Sequence, residues 1–127
     1  MLTEIIQPRF NETDALGHIN NTVVAAWFEG ARDPIFRLFT PDLNPALWRL
    51  ILAKFSVEFH AELFYGTPVE VRSYVSRVGS SSFDVAQEAW QGGKRCASGV
   101  AVMVQYDFSN KTSVALSDQQ KLHLQAI

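Results

Sequence analysis

This chain of 127 residues is poor in the features that announce most specialised classes of protein. It holds one cysteine, Cys96, which excludes a disulfide framework and any repeated metal-ligand spacing built on thiols. A reducing, cytoplasmic setting is the expectation. No run approaches the roughly 18 apolar residues of a membrane span, and Met1-Leu2-Thr3-Glu4 does not open a basic segment followed by an apolar one, so no membrane partner is expected. Lys and Arg number 11 against 13 Asp and Glu, a net charge of −2 that offers no basic face to nucleic acid. Internal repeats and low-complexity stretches are also missing. What remains suits a single domain over residues 1–127, long enough to bury a real core.

The chain then divides by period. Residues 2–10 alternate loosely and end near Pro8, which predicts a short peripheral strand. From Thr22 to Arg32, Val23-Val24-Ala25-Ala26-Trp27-Phe28 is apolar on every side, the pattern of a wrapped central helix. Pro34 ends or kinks it, Ile35 to Phe39 add a turn or two, and residues 40–47 read as a loop. After that the period becomes two. Ile51, Ala53, Phe55, Val57, Phe59, Ala61 and Leu63 share one face of a long strand, with Lys54, Ser56, Glu58, His60 and Glu62 on the other. Tyr65-Gly66-Thr67-Pro68 turns into a strand from Val69, Gly79-Ser80-Ser81 breaks it, and a third strand, Ser82 to Trp90, meets a Gly92-Gly93 hairpin. Cys96, Ser98, Val100, Val102, Val104, Tyr106 and Phe108 are expected on one face of a fourth strand. Ser117-Asp118-Gln119-Gln120 caps a short terminal helix. One helix against a run of antiparallel strands predicts an α+β fold in which the sheet curls around the helix. The sheet edge and part of its outer face then call for a second copy, so a homodimer or homotetramer is expected.

Asp14-Ala15-Leu16-Gly17-His18-Ile19-Asn20-Asn21 is the stretch with chemistry in it. A carboxylate, an imidazole and two carboxamides stand just ahead of the apolar helix, Gly17 lets the backbone turn, and Asn or Thr before Val23 can cap it. The first amides of a helix have no internal partners and sit at its positive end. A carbonyl placed there would be polarised while Asp14 attacked it or activated water, which is the arrangement of acyl transfer.

These residues carry a resemblance. Glu12-Thr13-Asp14-Ala15-Leu16-Gly17-His18-Ile19-Asn20-Asn21, the helix through Trp27-Phe28-Glu29-Gly30-Ala31-Arg32, and the turns Tyr65-Gly66-Thr67-Pro68-Val69 and Gly79-Ser80-Ser81-Ser82 resemble hotdog-fold acyl thioesterases of the 4-hydroxybenzoyl-CoA thioesterase type. The resemblance implies a long central helix wrapped by a curved antiparallel sheet, dimers or dimers of dimers, acyl-CoA or acyl-carrier-protein thioesters as substrates, no cofactor and no metal. It assigns Asp14 as nucleophile or general base and the amides near Thr22 and Val23 as the donors to the thioester oxygen. His18 and Asn20 are similar to a His-x-Asn segment of plant acyl-carrier-protein thioesterases, although Leu16 stands where those enzymes have an Asn between the Asp and the His. Val24 stands about where many bacterial relatives carry a Tyr.

Asp14 and His18 are therefore the candidate catalytic residues, and Gly17, Asn20, Asn21, Thr22, Val23 and Glu29 the candidate substrate-binding ones. Against this, Asp14 could simply cap a turn, and His18 could brace the loop. Glu29 has Arg32 three residues on, on the same helix face, and an ion pair or a dimer contact is the expected role, with a second catalytic carboxylate as the alternative. Cys96, with no base beside it, reads as a core thiol. Arg77, Lys94 and Arg95 lie near hairpins and read as surface, with phosphate contacts as the alternative. The functional reading is thioester hydrolysis, with a hotdog hydratase or dehydratase and a non-catalytic acyl-binding module as alternatives.

Overall fold

The computed structural model describes residues 1–127. Strand β1 (Leu2–Ile6) is followed by a 3-10 turn at Phe10–Glu12, helix α1 (Asn21–Ala31), helix α2 (Asp33–Phe39) and a 3-10 turn at Pro45–Leu47. Strands β2 (Leu50–Phe59), β3 (Val69–Val78), β4 (Ser82–Gln91), β5 (Lys94–Asp107) and the short β6 (Thr112–Ser113) come next, and helix α3 (Asp118–Gln125) closes the chain. The sheet is antiparallel throughout, in the order β1-β3-β4-β5-β2, with β6 paired to β5. Two consecutive hairpins, β3 to β4 and β4 to β5, explain the central order, while α1 and α2 bridge β1 to the opposite edge. The first strand is peripheral as expected but stops at Ile6, because residues 10–12 wind into a turn that Glu12 closes by accepting the Arg9 amide at 2.7 Å.

The core lies between the helices and one face of the sheet. Val24, Trp27, Phe28 and Ala31 of α1 pack with Val69, Val71, Ala89 and Ala97, and Ile35, Phe36 and Phe39 of α2 pack with Phe83, Val85, Ala101 and Met103. Two of the expected strand faces are revised. On β5 the buried residues are Cys96, Ala97, Ala101, Met103 and Gln105, whereas Ser98, Val100, Val102 and Val104 lie half-buried on the outer face. The reason is the closeness of helix to sheet: a Cβ on Gly99 would sit 2.7 Å from the Ser56 carbonyl and 3.2 Å from the Phe28 ring. Small residues lie under the helix, and the valines hold the outer face through their fit to a pleated surface. On β2 a bulge between Leu52 and Lys54 reverses the alternation, so Leu50 rather than Ile51 is buried, while Phe55 and Val57 keep their predicted side.

Helix α1 is also less enclosed than its sequence suggests. Ala26, Glu29 and Gly30 are exposed along one side. Arg32 turns inward instead of meeting Glu29, and is 2% exposed; its Nη1 donates to Gln87 Oε1 at 2.9 Å. Gln87 Nε2 in turn donates to the Phe28 carbonyl at 2.8 Å and to Ser73 Oγ at 3.0 Å. The expected Glu29 to Arg32 ion pair is thus absent, because the sheet beneath α1 supplies the side-chain acceptor that draws the arginine down. No helix is long and apolar enough to cross a membrane. The terminal helix forms where the sequence placed it, with Ser117 and Gln120 as a reciprocal cap.

Candidate functional site

The Asp14 loop is a tight, cross-braced turn. The Asp14 amide donates to the His18 carbonyl at 2.7 Å, Thr13 and Ile19 form a bridge, and Gly17 at φ +80° makes the reversal that a side chain would strain. Asp14 Oδ1 accepts the amides of Leu16 at 2.8 Å and His18 at 3.1 Å. Its other oxygen, Oδ2, accepts no hydrogen bond within the protein and lies 4.0 Å from His18 Nδ1. The Asp14 side chain is 40% exposed and that of His18 27% exposed. One carboxylate oxygen therefore builds the loop, and the other is presented at its surface. The same side chain can thus form the turn and still present an oxygen for reaction.

His18 is held by three neighbours. Its ring stands edge-on to Phe64 at 5.1 Å between centroids, and Nδ1 lies 3.5 Å from Glu62 Oε2 as well as near Asp14. The alternation predicts Glu62 on the outer face of a strand, but β2 ends at Phe59 and the chain after it turns to run beside the Asp14 loop. The loop is pinned there by a His18 to Phe64 bridge, by the Ile19 amide donating to Leu63 at 2.7 Å and by the Tyr65 amide reaching Gly17 at 3.4 Å. Behind this segment sits Gln91 at the end of β4. Its amide group accepts from Phe64 N at 2.9 Å and donates to the carbonyls of Phe64 at 2.8 Å and Thr67 at 2.9 Å. Neither Gln91 nor Glu62 was legible as part of the site, because the contact depends on which strands become neighbours. Glu12 fixes the other root of the loop to α1, accepting Trp27 Nε1 at 2.9 Å and, through its carbonyl, the Asn20 amide at 2.9 Å.

At the helix start the cap is Asn20, whose Oδ1 accepts the Thr22 amide and the Thr22 hydroxyl, both at 3.0 Å. Its carbonyl accepts the Val23 amide at 2.9 Å. The Thr22 and Val23 amides, expected to face a carbonyl, are thus engaged by Asn20. The amide of Asn21, the first residue of α1, donates to no acceptor in the protein. Asn21 and Val24 line a cleft of about 290 Å³ together with Ile19, Phe59, His60 and Glu62. His60 Nε2 sits 2.8 Å from Ser98 Oγ at its rim. Glu29 lies two turns farther along α1, exposed and outside this cleft.

Other candidates resolve simply. Cys96 is buried, with its thiol against the Lys94 carbonyl at 3.4 Å, as a core residue should be. Arg77 is paired with Asp84 at 2.9 Å and Arg95 with Glu88 at 3.2 Å, which leaves Lys94 as the one unpaired cation of the three. The Asp84 hydrogen bond raises the Arg77 pKa above its ordinary value. No cluster of three or more His, Cys, Asp or Glu side chains is arranged to hold a metal ion.

The chain is similar in sequence and fold to known proteins. A Bacillus subtilis (strain 168) protein, YsmA, is 26% identical over 117 residues, covering 91% of this chain and 80% of its own length. A structure of a predicted thioesterase from Bacillus stearothermophilus superposes with a TM-score of 0.94 at 38% identity, covering 98% of this chain and 94% of that one. A Thermus thermophilus thioesterase, solved in complex with coenzyme A and zinc, superposes with a TM-score of 0.86 at 25% identity, covering 98% and 92%. The α+β fold of one long helix against a curled antiparallel sheet is the hotdog fold those structures share. Residues 8–124 match the thioesterase-like superfamily, and the chain belongs to that family.

Proposed function

We propose that the protein hydrolyses an acyl thioester of coenzyme A or of an acyl carrier protein, with Asp14 as the reactive carboxylate. The observation that carries this reading is the division of labour in Asp14: Oδ1 is saturated by the Leu16 and His18 amides while Oδ2 is left free beside His18. A carboxylate held so firmly cannot rotate away from a bound carbonyl, which favours positioned attack or positioned general-base chemistry. Acting as base, Asp14 takes a proton from water as the water oxygen bonds to the carbonyl carbon. The C–S bond then breaks, the thiolate leaves, and the proton passes to it. Acting as nucleophile, Asp14 bonds to the carbonyl carbon, the C–S bond breaks with departure of the thiolate, and water opens the resulting anhydride to give the free acid and restore the carboxylate. The amide of Asn21, rather than those of Thr22 and Val23, is the donor for the oxygen that becomes negative, and it stands at the positive end of α1. His18, bracketed by Asp14 and Glu62, orients water or returns the proton. Gly17 and Asn20 shape the loop and cap on which these groups depend.

A homo-oligomer in the cytoplasm fits this reading, since β2 forms an edge of the sheet with a row of unpaired backbone groups beside the cleft. Light scattering on the purified chain decides between dimer and tetramer. The activity is tested by thiol release from a panel of short, long, branched and aromatic acyl-CoAs, with Asp14→Asn alongside. Wild-type turnover that vanishes in Asp14→Asn while circular dichroism and acyl-CoA binding persist is the expected result. Full turnover in that variant would overturn the assignment, and binding with no thiol release by the wild type would turn the protein into an acyl-binding module.

A further inference from the structure

The far end of α1 carries a group that the hydrolytic site does not use. Arg32 is buried, yet its guanidinium has a single hydrogen bond, to the neutral amide of Gln87, and rests over the Phe55 ring at 5.3 Å. Its Nε is buried with no acceptor, and no carboxylate lies within ion-pair distance of it. Burial lowers its pKa below the ordinary arginine value, against the opposing field of Glu29. A buried cation so thinly satisfied is costly, and such groups stay in folded proteins when something else completes them.

Arg32 lines a second pocket, of about 510 Å³, whose walls include Phe36, Trp48, Leu50, Leu52 and Met103. Ala26 and Gly30 form its floor on the exposed side of α1. A glycine inside a helix costs about 1 kcal/mol relative to alanine, and a Cβ on Gly30 would meet nothing within 4 Å, so packing within the protein does not call for it. Ala26 and Gly30 present nothing larger than a methyl group on this side of α1. Glu29 and Asp33 stand at the same pocket, so its formal charge with Arg32 is one positive against two negative, a net of −1. An added carboxylate is disfavoured there, whereas a neutral oxygen can accept an N–H bond without adding charge.

Resting on the proposed thioester hydrolysis, we propose that this pocket reads the far end of the acyl group, with Arg32 donating to an uncharged oxygen, a hydroxyl or a ketone, at the tip of an otherwise apolar chain. The guanidinium lies between the levels of Phe28, whose carbonyl shares Gln87 with it, and of Arg32 itself. From Asn21 those levels are roughly 10 to 16 Å along the helix axis. Three backbone bonds of an extended chain cover about 3.5 Å, so the span corresponds to roughly nine to fourteen bonds. Dodecanoyl thioesters with an ω-hydroxyl fit it, and benzoyl-sized groups bound to the same protomer do not reach.

The test compares kcat/KM for butyryl-CoA, dodecanoyl-CoA, ω-hydroxydodecanoyl-CoA and dodecanedioyl-CoA. The wild type should favour the ω-hydroxy over the plain dodecanoyl thioester by about tenfold, the scale of one hydrogen bond to a charged donor. Arg32→Met should bring that ratio to about one. An unchanged ratio in Arg32→Met, with or without loss of the oligomer, overturns the proposal and leaves the arginine a structural or intersubunit group. A preference for the dicarboxylic thioester overturns the neutral-oxygen assignment. Should Arg32→Met fail to fold, Leu52→Trp fills the pocket from an exposed wall and should depress turnover of the dodecanoyl substrates relative to butyryl-CoA; no such change also overturns it. Binding of the matching S-dodecyl and S-(ω-hydroxydodecyl) thioethers of coenzyme A separates the two claims. If the wild type hydrolyses nothing yet binds the hydroxylated thioether more tightly, and Arg32→Met does not, hydrolysis fails and this inference stands.

Discussion

The two ends of α1 solve opposite problems. At the start, many exposed polar groups are matched by one another: Asn20 takes the Thr22 and Val23 amides, Asp14 takes those of Leu16 and His18, and one carboxylate oxygen and the Asn21 amide are among the groups left free. At the finish, a buried guanidinium is left with one neutral partner and an empty-handed Nε. Under-satisfaction in water is cheap and leaves groups ready to act, whereas under-satisfaction in the core is expensive and fixes where something must arrive. On the proposed reading, the first end serves chemistry and the second recognition.

The sharpest way to break this contrast is at Asp14. Asp14→Asn keeps an oxygen for the Leu16 and His18 amides, so the loop should survive while thiol release falls by about a hundredfold or more, read in a steady-state assay with melting as the control. At the other end, Gln87→Leu removes the sole hydrogen-bond partner of the buried Arg32 and should cost about 3 kcal/mol in denaturant unfolding. Arg32→Met, which removes the charge itself, should cost less than Gln87→Leu; the reverse order would mean that the guanidinium is satisfied after all. Gly99→Ala should cost about 1 to 3 kcal/mol, because its Cβ would meet the Ser56 carbonyl under the middle of the helix. Asn20→Ala should be the mildest, about 1 kcal/mol for the lost cap, and should lower kcat more than the unfolded fraction at the assay temperature explains.

The helix, the hairpins and the Asp14 loop were all legible, because each is written in neighbouring residues: a cap before an apolar run, a Gly-Gly pair, an alternation. The faces of β2 and β5 were not, since a bulge at β2 reverses parity without any local mark and the small residues of β5 matter only once Phe28 lies above them. The same limit hid Glu62 and Gln91. The i, i+3 spacing of Glu29 and Arg32 suggested a pair, but an acceptor 55 positions away, Gln87, outcompeted the near one. Local spacing proposes contacts, and the sheet beneath decides among them.

Gln91 gives the Asp14 loop a mechanical inheritance. By clamping Phe64 and Thr67 from the end of β4, it makes the loop's brace an extension of the central sheet rather than a free flap. The Asp14 carboxylate should accordingly open no more often than the strand that holds its support, and the amides of Leu16 and His18 should exchange their hydrogens in step with that of Phe64. Gln91→Ala would uncouple the two clocks, letting the loop breathe on its own while the sheet stays closed.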